Sequence, residues 1–168
     1  MALRTNPDAS FRSFEYRYLL ACPLPTVFAI YTDTNRWCSR GFVDDVSWVQ
    51  GEPWKEGSRI RVKISEPVSA VVDQVLAHFE RDRELAYISH VFGMTFSTRL
   101  TFRAISEEQT EIYVFMEVVG IPWRLFNFAI EPTIDKTTRR FFEGLTRDCE
   151  WAALQAQRNA AIELEANS

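Results

Sequence analysis

The feature that most constrains the fold is a long amphipathic segment near the end of the chain, residues 133–161. Its apolar side chains recur at steps of three and four residues, which is the period of a helix with one buried side. Charged side chains occupy the opposite side. A helix of this length spans about 40 Å, enough to cross a whole β-sheet. The sequence therefore predicts that a sheet precedes this helix and packs against it.

The length and net charge of the chain limit the classes of protein to which it can belong. The chain has 168 residues, a one-domain length, and a net charge of −4 with both signs interspersed. Because no basic region stands out, we expect neither nucleic acid nor an anionic membrane surface as a partner. No apolar run reaches the roughly 18 residues of a membrane-spanning helix. Cys22, Cys38 and Cys149 show no CxxC spacing, so we expect reduced thiols and a cytoplasmic protein.

The first half of the chain predicts one strand, two short helices and a hairpin. Residues 1–10 have no apolar period and are predicted to be a disordered leader, followed by a single domain over 11–168. Pro23 and Pro25 favour the start of the first helix. The expected boundaries are 11–21 for the strand, up to 33 for the first helix, 35–39 for the second, and 43–50 with 58–64 for the hairpin.

From residue 68 onwards the pattern becomes all strand. Four runs alternate apolar and polar side chains, as in a meander with one dry face, and they cover 70–79, 84–92, 94–104 and 110–119. Segment 121–130, before the long helix, is too apolar for a solvated loop and is predicted to be either a flap or a short helix. The predicted fold class is therefore α+β.

Several short segments, taken with this order of elements, resemble a known superfamily. They are Cys22-Pro23-Leu24-Pro25-Thr26-Val27-Phe28 followed by Asp33 and Trp37, the stretch 51–57, Glu66-Pro67-Val68, Leu85-Ala86-Tyr87, and FFEGLTRDCEW in the last helix. Over about 11–161 the chain resembles the START/Bet v 1-like helix-grip superfamily, also called SRPBCC or polyketide-cyclase-like. The resemblance implies a curved antiparallel sheet of six to seven strands wrapped around the C-terminal helix. The functions it implies range from carriage of lipids, hormones or polyketides to cyclisation.

A helix held by a curved sheet tends to leave an apolar space, and such spaces bind small molecules. Strand alternation and the helix face assign twelve residues to its walls: Tyr18, Trp37, Trp48, Tyr87, Phe96, Thr98, Leu100, Val114, Met116, Phe142, Leu145 and Cys149. Alternatively, these large side chains fill the space and form an ordinary core, in which Met116 is a gap filler. The sequence leaves both interpretations open.

Polar residues near the predicted apolar surfaces are the candidates for chemistry. Asp148 lies at the edge of the apolar side of the helix, where a carboxylate suits an acid, a base, a ligand anchor or an ion pair with an arginine of the sheet. His90 faces inward only if Tyr87 and Ser89 face outward. Tyr87 either offers its phenol to a ligand carbonyl or packs. Gly144, inside the helix, indicates a close approach by a ligand, by segment 121–130 or by a strand backbone.

The signatures of nucleotide, metal and covalent chemistry are missing from the sequence. It has no GxGxxG, P-loop, HExxH or GxSxG pattern, and its only histidines are His78 and His90. We therefore expect no cofactor and no metal.

Three functions from different classes remain. The first is binding or transport of a small hydrophobic molecule such as a lipid, an aromatic or a polyketide-like compound. The second is a cyclase, aromatase or dehydratase that uses an inward acid–base pair, Asp148 with His90 or Tyr87. The third is an interaction module with a closed core. The expected partner is a small hydrophobic ligand, and a homodimer is left open.

Overall fold

The computed structural model describes residues 11–66 and 69–166 of the chain. The predicted leader, 1–10, and two residues of the predicted opening of the meander, Pro67 and Val68, lie outside the described residues. Within those ranges, no helix combines the length and apolar character that crossing a bilayer requires.

The described residues form one antiparallel sheet of seven strands, with helices on one side of it. The strands are β1 Phe11–Leu20, β2 Val43–Gln50, β3 Arg59–Ile64, β4 Ala70–Glu80, β5 Glu84–Val91, β6 Met94–Ser106 and β7 Gln109–Val119. The helices are α1 Leu24–Thr32, a 3-10 helix Thr34–Arg40 and α2 Ile121–Ala166. The sheet order is β1-β7-β6-β5-β4-β3-β2, so β1 joins the meander by pairing with its last strand. The predicted α+β arrangement is confirmed.

The long helix begins earlier than the sequence predicts. It starts at Ile121 rather than near residue 133, so segment 121–130 is the first part of α2 and not a separate flap. Pro132, directly before the predicted start, lies inside the helix. Proline removes only one backbone hydrogen-bond donor from a helix, and packing can offset that loss. Close by, the Thr133 hydroxyl donates a hydrogen bond to the Ala129 carbonyl at 2.9 Å.

The inner face of the sheet packs against the helices through two separate buried clusters. The larger cluster joins α1, the 3-10 helix and the middle of α2 to the strands, and includes Phe28, Tyr31, Phe102, Phe142 and Leu145. The smaller cluster consists of Phe14, Met94, Val118 and Ile134. Tyr16 of β1 packs against both clusters, and elsewhere the buried contact between the helices and the sheet is divided into these two regions.

The 3-10 helix is fixed by a cap at its start, by a side-chain hydrogen bond from its middle and by a glycine at its end. The Asp33 carboxylate accepts a hydrogen bond from the Asn35 backbone at 3.2 Å, which caps the start of the helix. The buried Trp37 donates from Nε1 to the Tyr31 carbonyl at 2.8 Å. Gly41 ends the helix with a φ of +78°, a value that glycine adopts without strain. This geometry turns the Arg40 side chain into the core, where it is 2% exposed.

Candidate functional site

A cavity of about 430 Å³ lies between the inner face of the sheet and α2. Its walls include residues from both buried clusters, so it occupies the gap between them. The described lining residues are Trp37, Phe42, Val43, Val62, Ile64, Val72, Gln74, Ser89, Val91, Phe92, Met94, Phe96, Thr98, Met116, Ala129, Ile130, Thr133, Ile134, Thr137, Thr138 and Phe141. Most of these side chains are apolar, and none carries a charge.

Small or polar side chains face each other in pairs on the sheet side of this space. Val62 and Val72 lie opposite each other across β3 and β4, and both line the cavity. Gln74 and Ser89 form the next directly opposed pair along the wall, across β4 and β5. At the larger cluster the corresponding space is filled from the helix side, because Phe142 of α2 stacks on Tyr18 of β1 with their ring centroids 4.2 Å apart.

The rim of the cavity is apolar and solvent-exposed. Phe92, in the turn between β5 and β6, lines the cavity and is 61% exposed. Its backbone φ is +51°, which is unusual for a residue with a large side chain. Ala129 of α2 is also exposed and lines the cavity. The cavity therefore meets the surface between this turn and the first part of α2.

Four of the twelve residues assigned to the cavity by sequence line it, namely Trp37, Phe96, Thr98 and Met116. The other eight pack elsewhere. Leu100, Val114, Leu145 and Cys149 are buried in the larger cluster with Tyr87 and Phe142, while Tyr18 and Trp48 pack against it partly buried. Alternation and helical period identify which face of an element is buried. They do not show where along that face the side chains stop filling the core and a cavity begins.

Sequence reasoning missed several lining residues that follow the same alternation. Val72 and Gln74 share the inner face of β4 with the fully buried Leu76. Ser89 shares the inner face of β5 with Leu85 and Tyr87. The strand period alone places these side chains inward, so their signal was present in the sequence. Their small size or polarity made them less conspicuous than the aromatic residues.

The structure does not bring the three candidate residues for catalysis together. His90 is exposed on the outer face of β5, where its Nδ1 lies 3.0 Å from Thr95 Oγ1. Tyr87 faces inward but is 4% exposed and packed in the larger cluster, where burial and the neighbouring Tyr31 raise its pKa well above the ordinary value. Asp148 lies on α2, on the other side of the sheet from His90. None of the three lines the cavity as described.

Asp148 pairs with a buried arginine. Its Oδ2 lies 3.6 Å from Nη2 of Arg40, which belongs to the 3-10 helix and not to the sheet. The guanidinium carbon of Arg40 lies 3.9 Å from the centroid of the Phe141 ring, a cation–π contact. Burial lowers the pKa of Arg40, while Tyr31 and Asp148 oppose that shift. This arginine makes the close contact that the sequence predicts at Gly144, because a β-carbon at Gly144 would lie 2.7 Å from Arg40 Cγ.

A second depression, between the end of the 3-10 helix and α2, is polar. Its volume is about 690 Å³, and it is lined by Ser39, Arg40, Gly41, Arg140, Glu143, Thr146, Arg147 and Glu150. Both arginine and glutamate side chains line it, so its electrostatic potential is not of a single sign. Among the described residues, no group of three or more His, Cys, Asp or Glu side chains is close enough to hold a metal ion.

The chain matches no protein-family model and no curated protein. Solved structures do resemble it. The Zhui aromatase/cyclase from Streptomyces sp. R1128 superposes with a TM-score of 0.72 at 11% identity, over 83% of this chain and 94% of that one. A START superfamily protein from Mycobacterium smegmatis gives 0.68 at 11% identity, over 83% and 98%. Ara h 8.0201 gives 0.68 at 12% identity, over 83% and 97%. At such identities the likeness shows the fold alone, which is the predicted helix-grip fold, an antiparallel sheet packed against a long C-terminal helix.

Proposed function

We propose that this protein binds a small hydrophobic molecule in the cavity between the sheet and α2. The observation that carries the proposal is the cavity itself, about 430 Å³ with mainly apolar walls. Small-molecule sites usually have a volume of a few hundred Å³ and apolar walls with few polar groups. Removing apolar surface of a ligand from water contributes about 25 cal/mol per Å². A lipid fragment, an aromatic compound or a polyketide-like compound fits this description.

A cyclase, aromatase or dehydratase activity is the second candidate, supported by the likeness to an aromatase/cyclase. Such an activity needs an acid and a base within hydrogen-bond reach of the substrate. The described lining residues include no Asp, Glu, His, Lys, Tyr or Cys. Asp148 instead pairs with Arg40, and His90 lies on the outer face. For this reason we place binding before catalysis.

Titration with the neutral dye N-phenyl-1-naphthylamine tests the proposal, because its fluorescence rises in apolar sites. Val72 and Val71 are neighbours on β4, yet Val72 lines the cavity while Val71 is 55% exposed on the outer face. We expect Val72→Phe, which fills the cavity, to weaken dye binding about tenfold or more. Val71→Phe, the matched control, should leave it unchanged.

Two results separate the remaining alternatives. If the wild-type protein binds no apolar dye, the proposal fails and the closed-core interaction module becomes the better interpretation. If the protein binds the dye and native mass spectrometry finds a co-purified molecule, extraction and mass analysis identify its chemical class. Conversion of that molecule to a product of different mass during incubation with the protein would establish the enzymatic alternative.

A further inference from the structure

Two polar side chains face each other inside the mainly apolar cavity. Gln74 of β4 and Ser89 of β5 are directly opposed in the sheet, and both line the cavity. Ser89 is 5% exposed. Neither side chain has a hydrogen-bond partner within the described ranges. Thr98 lies on the adjacent strand β6, opposite Tyr87, and it also lines the cavity.

Polar groups in such a position are costly unless something pairs with them. A glutamine amide offers two donors and an acceptor oxygen, and a serine hydroxyl offers one donor and accepts as well. A ligand that fills the cavity displaces water from these two side chains, and polar groups withdrawn from water are almost always hydrogen-bonded in proteins. The apolar residues beside Gln74 and Ser89, such as Val72 and Val91, offer no partner. A ligand atom that donates or accepts a hydrogen bond would therefore pair with these two side chains.

The same wall argues against a charged ligand. None of the described lining residues carries a charge, so a carboxylate, sulfonate or phosphate in the cavity would have no counter-ion there. Transferring an unpaired ion from water into a site of low dielectric is strongly unfavourable. An uncharged oxygen requires only hydrogen bonds, which Gln74 and Ser89 supply.

We infer that the ligand is an uncharged, mainly apolar molecule with an alcohol, phenol or ketone oxygen. This inference rests on the proposed function. Gln74 and Ser89 bind that oxygen. The apolar remainder of the ligand lies against Phe96, Met116 and Ile134 on the neighbouring strands and α2. Anionic molecules of the same shape are excluded.

Two small ligands of nearly equal shape test the oxygen contact, 2-naphthol and 2-methylnaphthalene, with affinities measured by quenching of tryptophan fluorescence. The variants are Gln74→Met, which keeps the length of the side chain, and Ser89→Ala. The matched control is Ser97→Ala, because Ser97 is an exposed residue on the neighbouring strand β6. A circular dichroism spectrum and melting curve of each variant check that it is folded.

We expect Gln74→Met and Ser89→Ala each to weaken 2-naphthol about fivefold to tenfold, the effect of losing one hydrogen bond. Binding of 2-methylnaphthalene should be unchanged or tighter, and Ser97→Ala should affect neither ligand. If both ligands bind the wild type but neither variant alters the ratio of their affinities, the inference is overturned while the proposed function stands. If neither ligand binds the wild type, both fail.

A second pair of ligands tests the exclusion of charge. N-phenyl-1-naphthylamine and 8-anilino-1-naphthalenesulfonate share one skeleton, and only the second carries a sulfonate. We expect the neutral compound to bind about tenfold or more tightly than the anion, and Val72→Phe to weaken the neutral compound. Equal or tighter binding of the sulfonate, with the same sensitivity to Val72→Phe, would overturn the inference that the ligand is uncharged.

Discussion

The side chain of Arg40 occupies the space that a β-carbon on Gly144 would need. An ideal β-carbon there would lie 2.7 Å from Arg40 Cγ and 3.1 Å from Cδ. The arginine has little room to withdraw, because its side chain is fully buried and its guanidinium lies over the Phe141 ring. Gly144 therefore allows the 3-10 helix to pack closely against α2.

Replacing Gly144 with alanine tests this close contact. Alanine gains about 1 kcal/mol over glycine from helix propensity, whereas overpacking a buried site costs about 1–3 kcal/mol. Arg40 must also shift away from Asp148 and Phe141. We expect Gly144→Ala to lower the free energy of unfolding by up to about 2 kcal/mol, measured by urea denaturation.

The control for Gly144→Ala is the same substitution after Arg40→Ala. With the arginine side chain removed, the new methyl group enters the space that Arg40 Cγ and Cδ occupied. The helix-propensity term then dominates, so Gly144→Ala should stabilise the Arg40→Ala protein by up to about 1 kcal/mol. A destabilisation of equal size in both backgrounds would show that Arg40 is not the cause.

Asp148 is the acidic partner of Arg40 within the described residues. Removing one member of a buried ion pair leaves the other charge uncompensated, which costs about 3–5 kcal/mol when both are fully buried. Because the Asp148 side chain is 22% exposed, we expect a smaller effect for Asp148→Asn. The expected loss is about 2–3 kcal/mol of unfolding free energy.

Combining Asp148→Asn with Arg40→Met separates a charge effect from a packing effect. Met fills much of the volume of the arginine without its charge, so the double variant should be more stable than Asp148→Asn alone. Dye affinity should remain within about twofold of the wild type in every variant, since Asp148 is not among the described lining residues. A loss of ligand turnover with unchanged stability would instead assign Asp148 a catalytic role.

The sequence predicted the fold well because strands and helices differ in the period at which their apolar residues recur. The alternation over residues 94–104 and the helical period after 133 place buried side chains on one face regardless of the partner element. The start of α2 was misjudged because proline usually marks a boundary, and Pro132 lies inside the helix. The packing around that residue is a tertiary effect, which a local pattern does not contain.

The candidate site was harder to predict, because a cavity forms where the side chains of an otherwise packed face leave space unfilled. Large residues such as Phe96 and Met116 were assigned to its wall, and they do line it. Leu100, two positions beyond Thr98 on the same face of β6, is 2% exposed in the filled core. The pairing of Arg40 with Asp148 was equally hidden, since it joins a short 3-10 helix to α2 across a long stretch of sequence.

Phe142 belongs to the filled part of the core and is outside the described cavity wall. Its ring is 4% exposed and stacks on Tyr18. We expect Phe142→Ala to lower the free energy of unfolding by about 3–5 kcal/mol, because truncating a buried aromatic ring leaves a void. Phe128→Ala, at a side chain that is 76% exposed, should change it by no more than about 0.5 kcal/mol. Similar losses in both variants would contradict the assigned packing.

Buried tyrosines predict a loss of stability in alkaline solution. Burial raises the pKa of Tyr31 to about 12, against about 10 for an exposed tyrosine. Between these two values the unfolded chain releases a proton that the folded protein retains, so the free energy of unfolding falls as pH rises. The slope is up to about 1.4 kcal/mol per pH unit for each such tyrosine. Tyr18 and Cys149, whose pKa values are also raised to about 12 by burial, add to the wild-type slope.

Tyr31→Phe isolates the contribution of one hydroxyl to this alkaline loss. The substitution keeps the ring and the backbone carbonyl that accepts the Trp37 hydrogen bond, so the fold around the 3-10 helix should persist. We expect urea denaturation at about pH 8 and about pH 11 to show a smaller loss of unfolding free energy in Tyr31→Phe than in the wild type. The difference should be about 1 kcal/mol, since pH 11 is about one unit above the unfolded pKa. Equal losses would mean that the Tyr31 hydroxyl ionises in the folded protein, and hence that water reaches the space between α1, Arg40 and Tyr87.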